Sequence, residues 1–171
     1  AQAVFLNGAV GGMVSGDTKA RTHEEAAGQG KRLAREIERI LGFAVPMPRR
    51  LAVERRRIEV PVTNPRMVAF EMSNSRKAFY RGRSVSEMFY VRLGEAEMIT
   101  IPGELLPELS FEVLERMKGY PRMIVGLAND ELGYMIPPCD FRAGAYEESM
   151  SLGPAVGPVV VRQALSLLGA Q

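Results

Sequence analysis

Three short stretches of this sequence place polar side chains where they could do chemistry. VGLANDELGYMIP (Val125–Pro137) runs from an apolar segment straight into Asn129, Asp130 and Glu131, then Gly133 and Tyr134. MITIPGE ends in Glu104 directly after Pro102-Gly103, and AYEESM carries Tyr146. Carboxylates at the ends of apolar segments mark a candidate acidic site, since ligands of layered α/β folds collect at strand ends. Each residue also has an ordinary structural use. The Asn-Asp-Glu cluster makes a polar turn, and Glu104 stands where a carboxylate favours the start of the helix that follows. A tyrosine most often packs its ring and keeps a wet hydroxyl. Residue types alone leave both uses open.

VFLNGAVGGMVSGD (Val4–Asp17) reads as a strand followed by a glycine-rich loop. Gly8, Gly11, Gly12 and Gly16 permit backbone conformations that other residues avoid. Without a GxGxxG or a phosphate-loop lysine, a nucleotide site is poorly supported. The loop is either a tight turn against a sheet or a set of N–H groups offered to an anion or oxyanion. Cys139 and His23 are the only cysteine and histidine. They exclude an internal disulfide and a zinc site built from this chain's Cys and His alone. They also leave one candidate base for a Ser–His or Cys–His pair. His23 falls in the first turn of a helix, where a solvated histidine is ordinary.

The elements that must position these residues follow from periodicity. Residues 1–7 read as a strand. THEEAAGQGKRLAREIERIL (Thr22–Leu41) is a helix with a Thr22/Glu25 capping box and an apolar face of Leu33, Ile37, Ile40 and Leu41. LAVERRRIEVPV (Leu51–Val62) alternates as a half-exposed strand, so Arg55–Arg57 form a solvated face. RMVAFEM is a short helix or strand, and SNSRKAFYRGR is a basic loop whose Phe79 and Tyr80 give slight support to nucleic-acid binding. Met88–Glu104 is a β-hairpin turning at LGEAE. Pro107–Gly119 is a helix with a glycine cap, and Arg122–Asn129 a buried strand. A short helix around Phe141–Glu148 and a last one over Pro158–Leu168 complete the chain. This is a mixed α+β (α/β) arrangement, a layered β-sheet with helices packed on it and one β-hairpin.

The 171 residues suit one domain, 46% hydrophobic and 25% charged, enough for a core. A net charge of +2 argues for no nucleic-acid partner. Arginine greatly outnumbers lysine, which favours planar, bidentate contacts. No apolar run reaches the roughly 20 residues of a transmembrane segment, and no secretory signal is visible. A chain that enters its first strand at residue 1 reads as a piece of a longer one, and its compartment is left open.

Read in order, VFLNGAVGGMVSGD, VPVTNP, MITIPGE, IVGLANDELGYMIP and YEESMSLGP resemble the neutral/alkaline ceramidase family in a divergent bacterial form. The resemblance covers most of the chain. It implies a zinc-dependent hydrolase of lipid metabolism that cleaves an N-acyl (amide) bond. By it, Glu104 matches the glutamate ligand of the family's PGE segment. Tyr134 matches the second tyrosine, also a ligand, of an Asn-x-Tyr-x-x-Tyr segment, with Glu131 in place of the first. Tyr146 matches a tyrosine beside the site. The family's nucleophilic serine lies in a Gly-Asp-Val-Ser-Pro segment after the first matched strand. Ungapped alignment sets Gly12 at its aspartate and Val14 at its serine, and a one-residue gap sets Ser15 there. The expected nucleophile is thus Ser15 or zinc-bound water, with the oxyanion on the loop Gly8, Gly11 and Gly12 or on Tyr146.

The family's two histidine ligands lie upstream of the segment matching Val4. Residues 1–171 are therefore expected to be a single domain, or the C-terminal portion of a larger ceramidase-like catalytic domain that is inactive in isolation. Zinc belongs to the complete protein. The expected partners are an N-acylated lipid or other small amide as substrate, and the upstream part of the parent or a second copy as cover for apolar surface. Two other readings stand beside this one. A relative that has lost the amidase chemistry, with Gly12, Val14 and Glu131 as its altered residues, would bind a small ligand or partner at the same strand ends. A purely structural domain would use its polar turns for nothing further.

Overall fold

The computed structural model describes residues 4–14, 16–73 and 82–169. Ser15, Phe79 and Tyr80 lie outside the described residues. The chain divides into two compact units, Met13–Pro48 and a larger one made of Ala1–Gly12 with Arg49–Gln171.

The smaller unit is built on α1 (His23–Leu41). The Thr22 half of the expected capping box forms: the Thr22 hydroxyl accepts the Glu25 N–H at 3.2 Å. No residue of α1 is buried, and Leu33 at 60% exposure typifies its apolar face.

The larger unit holds a four-stranded sheet in the order β1-β2-β3-β5, from β1 (Leu51–Pro61), β2 (Arg83–Leu93), β3 (Ala96–Thr100) and β5 (Arg122–Val125). β1 and β2 run antiparallel, and β2 and β3 form the expected hairpin, turning at Gly94-Glu95. β5 lies parallel to β3. A parallel neighbour needs a crossover. That crossover contains β4 (Glu104–Leu105) and α3 (Pro107–Leu114). The ambiguous RMVAFEM falls in a helix, α2 (Pro65–Ser73). β6 (Tyr134–Met135), a 3-10 turn at Pro138–Asp140, α4 (Tyr146–Ser149) and α5 (Val156–Leu168) complete the unit.

One face of the sheet makes the core. Ile58 and Val60 of β1, Met88 and Tyr90 of β2, Ile99 of β3 and Ile124 of β5 point into it, as period-2 alternation requires. α3 and α5 cover that face with Leu109, Val113, Val156, Val160, Ala164 and Leu167. Gly157 lets α5 come close to the chain before the 3-10 turn, since a Cβ there would stand 2.8 Å from the Ile136 carbonyl oxygen.

Several expected elements are corrected. Residues 4–7 form no strand; Asn7 contributes one carbonyl, which accepts the Gly126 N–H at 3.0 Å. α3 stops at Leu114, and Gly119 is not its cap. Gly119 is small because it lies against the Glu95 carbonyl and the Glu97 side chain, where a Cβ would collide. β5 ends at Val125, and the helix expected around Phe141–Glu148 is only the four residues of α4.

Ile99 is central and fully buried. Ile99→Ala should cost about 2–5 kcal/mol, whereas Leu33→Ala should stay within about 0.5 kcal/mol. Urea midpoints of the two variants check this contrast.

Candidate functional site

The site begins where β3 runs out. Pro102 and Gly103 turn the chain, and Gly103 takes a φ of +156°. Two residues of β4 follow, so Glu104 does not stand at a helix start as expected; α3 begins at Pro107 and its first-turn acid is Glu108. After β5 the chain must come back alongside β4. It does so through left-handed residues at Leu127 (φ 51°), Asn129 (φ 75°) and Gly133 (φ 77°). Two non-glycine residues in that region imply strain held by the surroundings.

The polar cluster supplies much of that hold. Asn129 Nδ2 donates to the Glu87 carbonyl at 3.3 Å. Asp130 Oδ1 accepts the Glu131 N–H, and Glu131 Oε1 accepts the Gly133 N–H, both at 3.0 Å. Asn129 and Asp130 thus act as turn formers. Glu131 does this too but also lines a cavity.

That cavity, about 330 Å³, is lined by Glu104, Glu131, Tyr134 and Tyr146 with Met67, Leu132, Gly133, Met150 and Leu152. β4 and β6 pair in parallel with Glu104 directly opposite Tyr134. The Glu104 carboxylate is near enough to the Tyr134 hydroxyl to bear on its ionisation. Tyr146, 65% exposed, meets the Tyr134 ring edge-on, with centroids 5.8 Å apart and planes at 73°. Gly133 is also obligatory for space, because a Cβ there would strike the Met150 carbonyl.

The electrostatics follow from this crowding. Burial, then the hydrogen bond to Glu104, then the Glu104 charge push Tyr134 up to about 12. Partial burial, joined by the charges of Glu104 and Asp130, raises Glu131 despite the Gly133 N–H that favours its ionised form. The pole of the cavity is therefore a carboxylate beside a neutral phenol, with a second carboxyl group nearby.

Three expected site residues, Glu104, Tyr134 and Tyr146, come together here. The loop of Gly8, Gly11 and Gly12 is not among the cavity's lining residues. Gly11 packs on the backbone of β4: its N–H donates to the Leu105 carbonyl at 3.0 Å, and a Cβ would stand 2.6 Å from the Glu104 carbonyl oxygen. That N–H is engaged in the fold. The apolar wall of Met67, Met150 and Leu152 was not read as part of a site; the alternation of SMSLGP was its only trace in sequence.

Comparison with solved structures finds ceramidases. Over half its length the chain is structurally similar to them. One is the neutral ceramidase from Pseudomonas aeruginosa, with TM-score 0.42 and 19% identity over 51% of this chain and 16% of the ceramidase. Another is a ceramidase complexed with C2, with TM-score 0.43 and 18% identity over 52% of this chain and 15% of that one. The chain thus spans about a sixth of their length. No protein-family model and no curated protein sequence matches it. Among the described residues, no helix is long and apolar enough to cross a membrane.

Because the Tyr134 phenol is favoured by the fold, its contribution to stability is present below pH 10 and is lost as pH rises toward 12. In a tyrosinate absorbance titration, Tyr134→Phe should remove a component titrating near 12, and Glu104→Gln should move that component down. Loss of a component near pH 10 instead would contradict the pairing.

Proposed function

We propose that the chain is part of a ceramidase-like, zinc-dependent hydrolase of N-acyl (amide) bonds. What carries the reading is the register of β4 and β6: the two residues that the sequence resemblance matches to metal ligands stand opposite each other, from separate segments. Tyr146, matched to the tyrosine beside the site, meets the ring of one of them.

A carboxylate and a phenolic oxygen are hard donors that suit zinc alongside imidazoles. Among the described residues no three of His, Cys, Asp and Glu come together. Glu104 and Tyr134 would be two of the residues that hold the zinc, and its remaining ligands would come from elsewhere. When bound, zinc supplies Lewis acidity toward the amide carbonyl.

The rest of the chemistry falls to the chain's own residues. The exposed Tyr146 hydroxyl is a donor for the oxygen that gains charge as the carbonyl becomes tetrahedral. Met67, Leu132, Met150 and Leu152 give the hydrocarbon part of an acyl substrate an apolar wall. Ser15 is the candidate nucleophile within the chain, with zinc-bound water as the alternative, and Tyr146 is preferred to Gly8 and Gly12 for the oxyanion because it lines the cavity.

A binding-only relative is the second reading, favoured by one observation: Glu131, which stands where the resemblance places a tyrosine, lines the cavity. Zinc content and hydrolysis of an N-acyl substrate, measured on the complete protein and on its Glu104→Ala and Tyr134→Phe variants, separate the two. The hydrolase reading expects bound zinc, at least about a tenfold loss of affinity in each variant, and activity abolished in Glu104→Ala. Full activity in Glu104→Ala would refute the ligand assignment, and zinc binding without turnover would favour the binding-only relative.

A further inference from the structure

No residue of the segment VPVTNP has a role in the proposed chemistry, yet its Asn64 is buried, 3% exposed, and its side chain is fully engaged. Asn64 Oδ1 accepts the Arg66 N–H at 3.0 Å. That bond caps α2, with Pro65 at the first helical position. Asn64 Nδ2 donates to the Glu148 carbonyl at 2.9 Å and to the Ser151 carbonyl at 2.7 Å. The main chain joins in: the N–H groups of Thr63 and Asn64 both reach the Leu152 carbonyl, at 2.8 and 2.9 Å. Gly153, with φ +140°, is pressed so near the Thr63 hydroxyl that a Cβ would collide with it.

One amide thus joins two walls of the cavity. On one side is α2, whose first turn carries Met67. On the other is the segment 146–152, which carries Tyr146, Met150 and Leu152. Capping alone does not require asparagine, because Asp, Ser and Thr cap comparably. None of them keeps the cap while donating two protons, and an aspartate would set a carboxylate against two carbonyl oxygens.

We infer that Asn64 is the positioning residue of the site, holding the Tyr146–Leu152 segment against Tyr134 and Met67. It thereby fixes where the Tyr146 hydroxyl and the apolar wall stand relative to Glu104. The geometric claim is independent of the hydrolase reading; only its consequence for catalysis rests on that reading.

Asn64→Asp and Asn64→Ser keep the cap and the two main-chain bonds to Leu152 but remove the side-chain clamp on Glu148 and Ser151. In NMR spectra the wild-type protein should give ring-to-ring cross-peaks between Tyr134 and Tyr146. Both variants should lose them while the amide signals of Ile58, Val60 and Ile99 in the sheet stay in place. Cross-peaks retained in either folded variant, or absent in the wild type, overturn the inference. If both variants fail to fold, the wild-type protein decides. The two Asn64 side-chain amide protons should exchange with solvent at least about tenfold more slowly than exposed amides; exchange at the exposed rate overturns it. None of these readouts depends on zinc or turnover, so failure of the hydrolase reading and failure of the clamp are seen separately.

Discussion

The backbone from Ile101 to Leu106 finds hydrogen-bond partners in the 125–135 segment at almost every step, and the site depends on that engagement. Ile101 N–H donates to the Val125 carbonyl at 2.8 Å, and the Ile101 carbonyl accepts from Ala128 at 3.1 Å. The Pro102 carbonyl accepts from Leu132, the Gly103 carbonyl from Leu127, and Glu104 N–H reaches the Gly133 carbonyl. Buried peptide groups must be paired, so the turn after β3 can be buried only if the chain after β5 folds back around it. That fold-back sets Tyr134 beside Glu104. The chemistry of the cavity is a by-product of satisfying a turn.

Packing reinforces the same constraint. Gly103 would put a Cβ 2.6 Å from the Gly133 carbonyl oxygen, and Gly11 would put one among the carbonyls of β4. Together with the clashes at Gly133 and Gly153, this makes the region a stack of main chains in near contact, where glycine alone fits. Close backbone approach leaves the side chains of Glu104, Tyr134 and Tyr146 to project from a rigid base. That is the arrangement a site needs to hold its groups without reorganising.

Local periodicity made much of the fold legible. The helix α1, the alternating β1, the β2–β3 hairpin and the last helix each announce themselves over many residues. The site is different. β4 and β6 are two residues each, too short for any pattern, so nothing periodic could pair Glu104 with Tyr134. Ordered short motifs marked those residues, but their juxtaposition and its effect on the phenol belong to the register alone. Gly119 misled because a glycine after a helical run reads as a cap, while here it makes room for Glu95 and Glu97. Asn64 carried a visible signal, Asn before Pro at a helix start, but its two partners are far along the chain.

The Asn64 side chain bonds to residues 84 and 87 positions later. Contacts of such span form after local ones, because the intervening chain must first be gathered. Once formed, they draw on the high effective concentration that an unbroken chain provides, which ordinary loop lengths dilute only slowly. A nick between Asn64 and Glu148 would leave every residue of the cavity in place by composition and yet change its closure from an intramolecular to a two-body event, with only the shared sheet holding the pieces together. The width of the cavity is in that sense a property of polypeptide continuity.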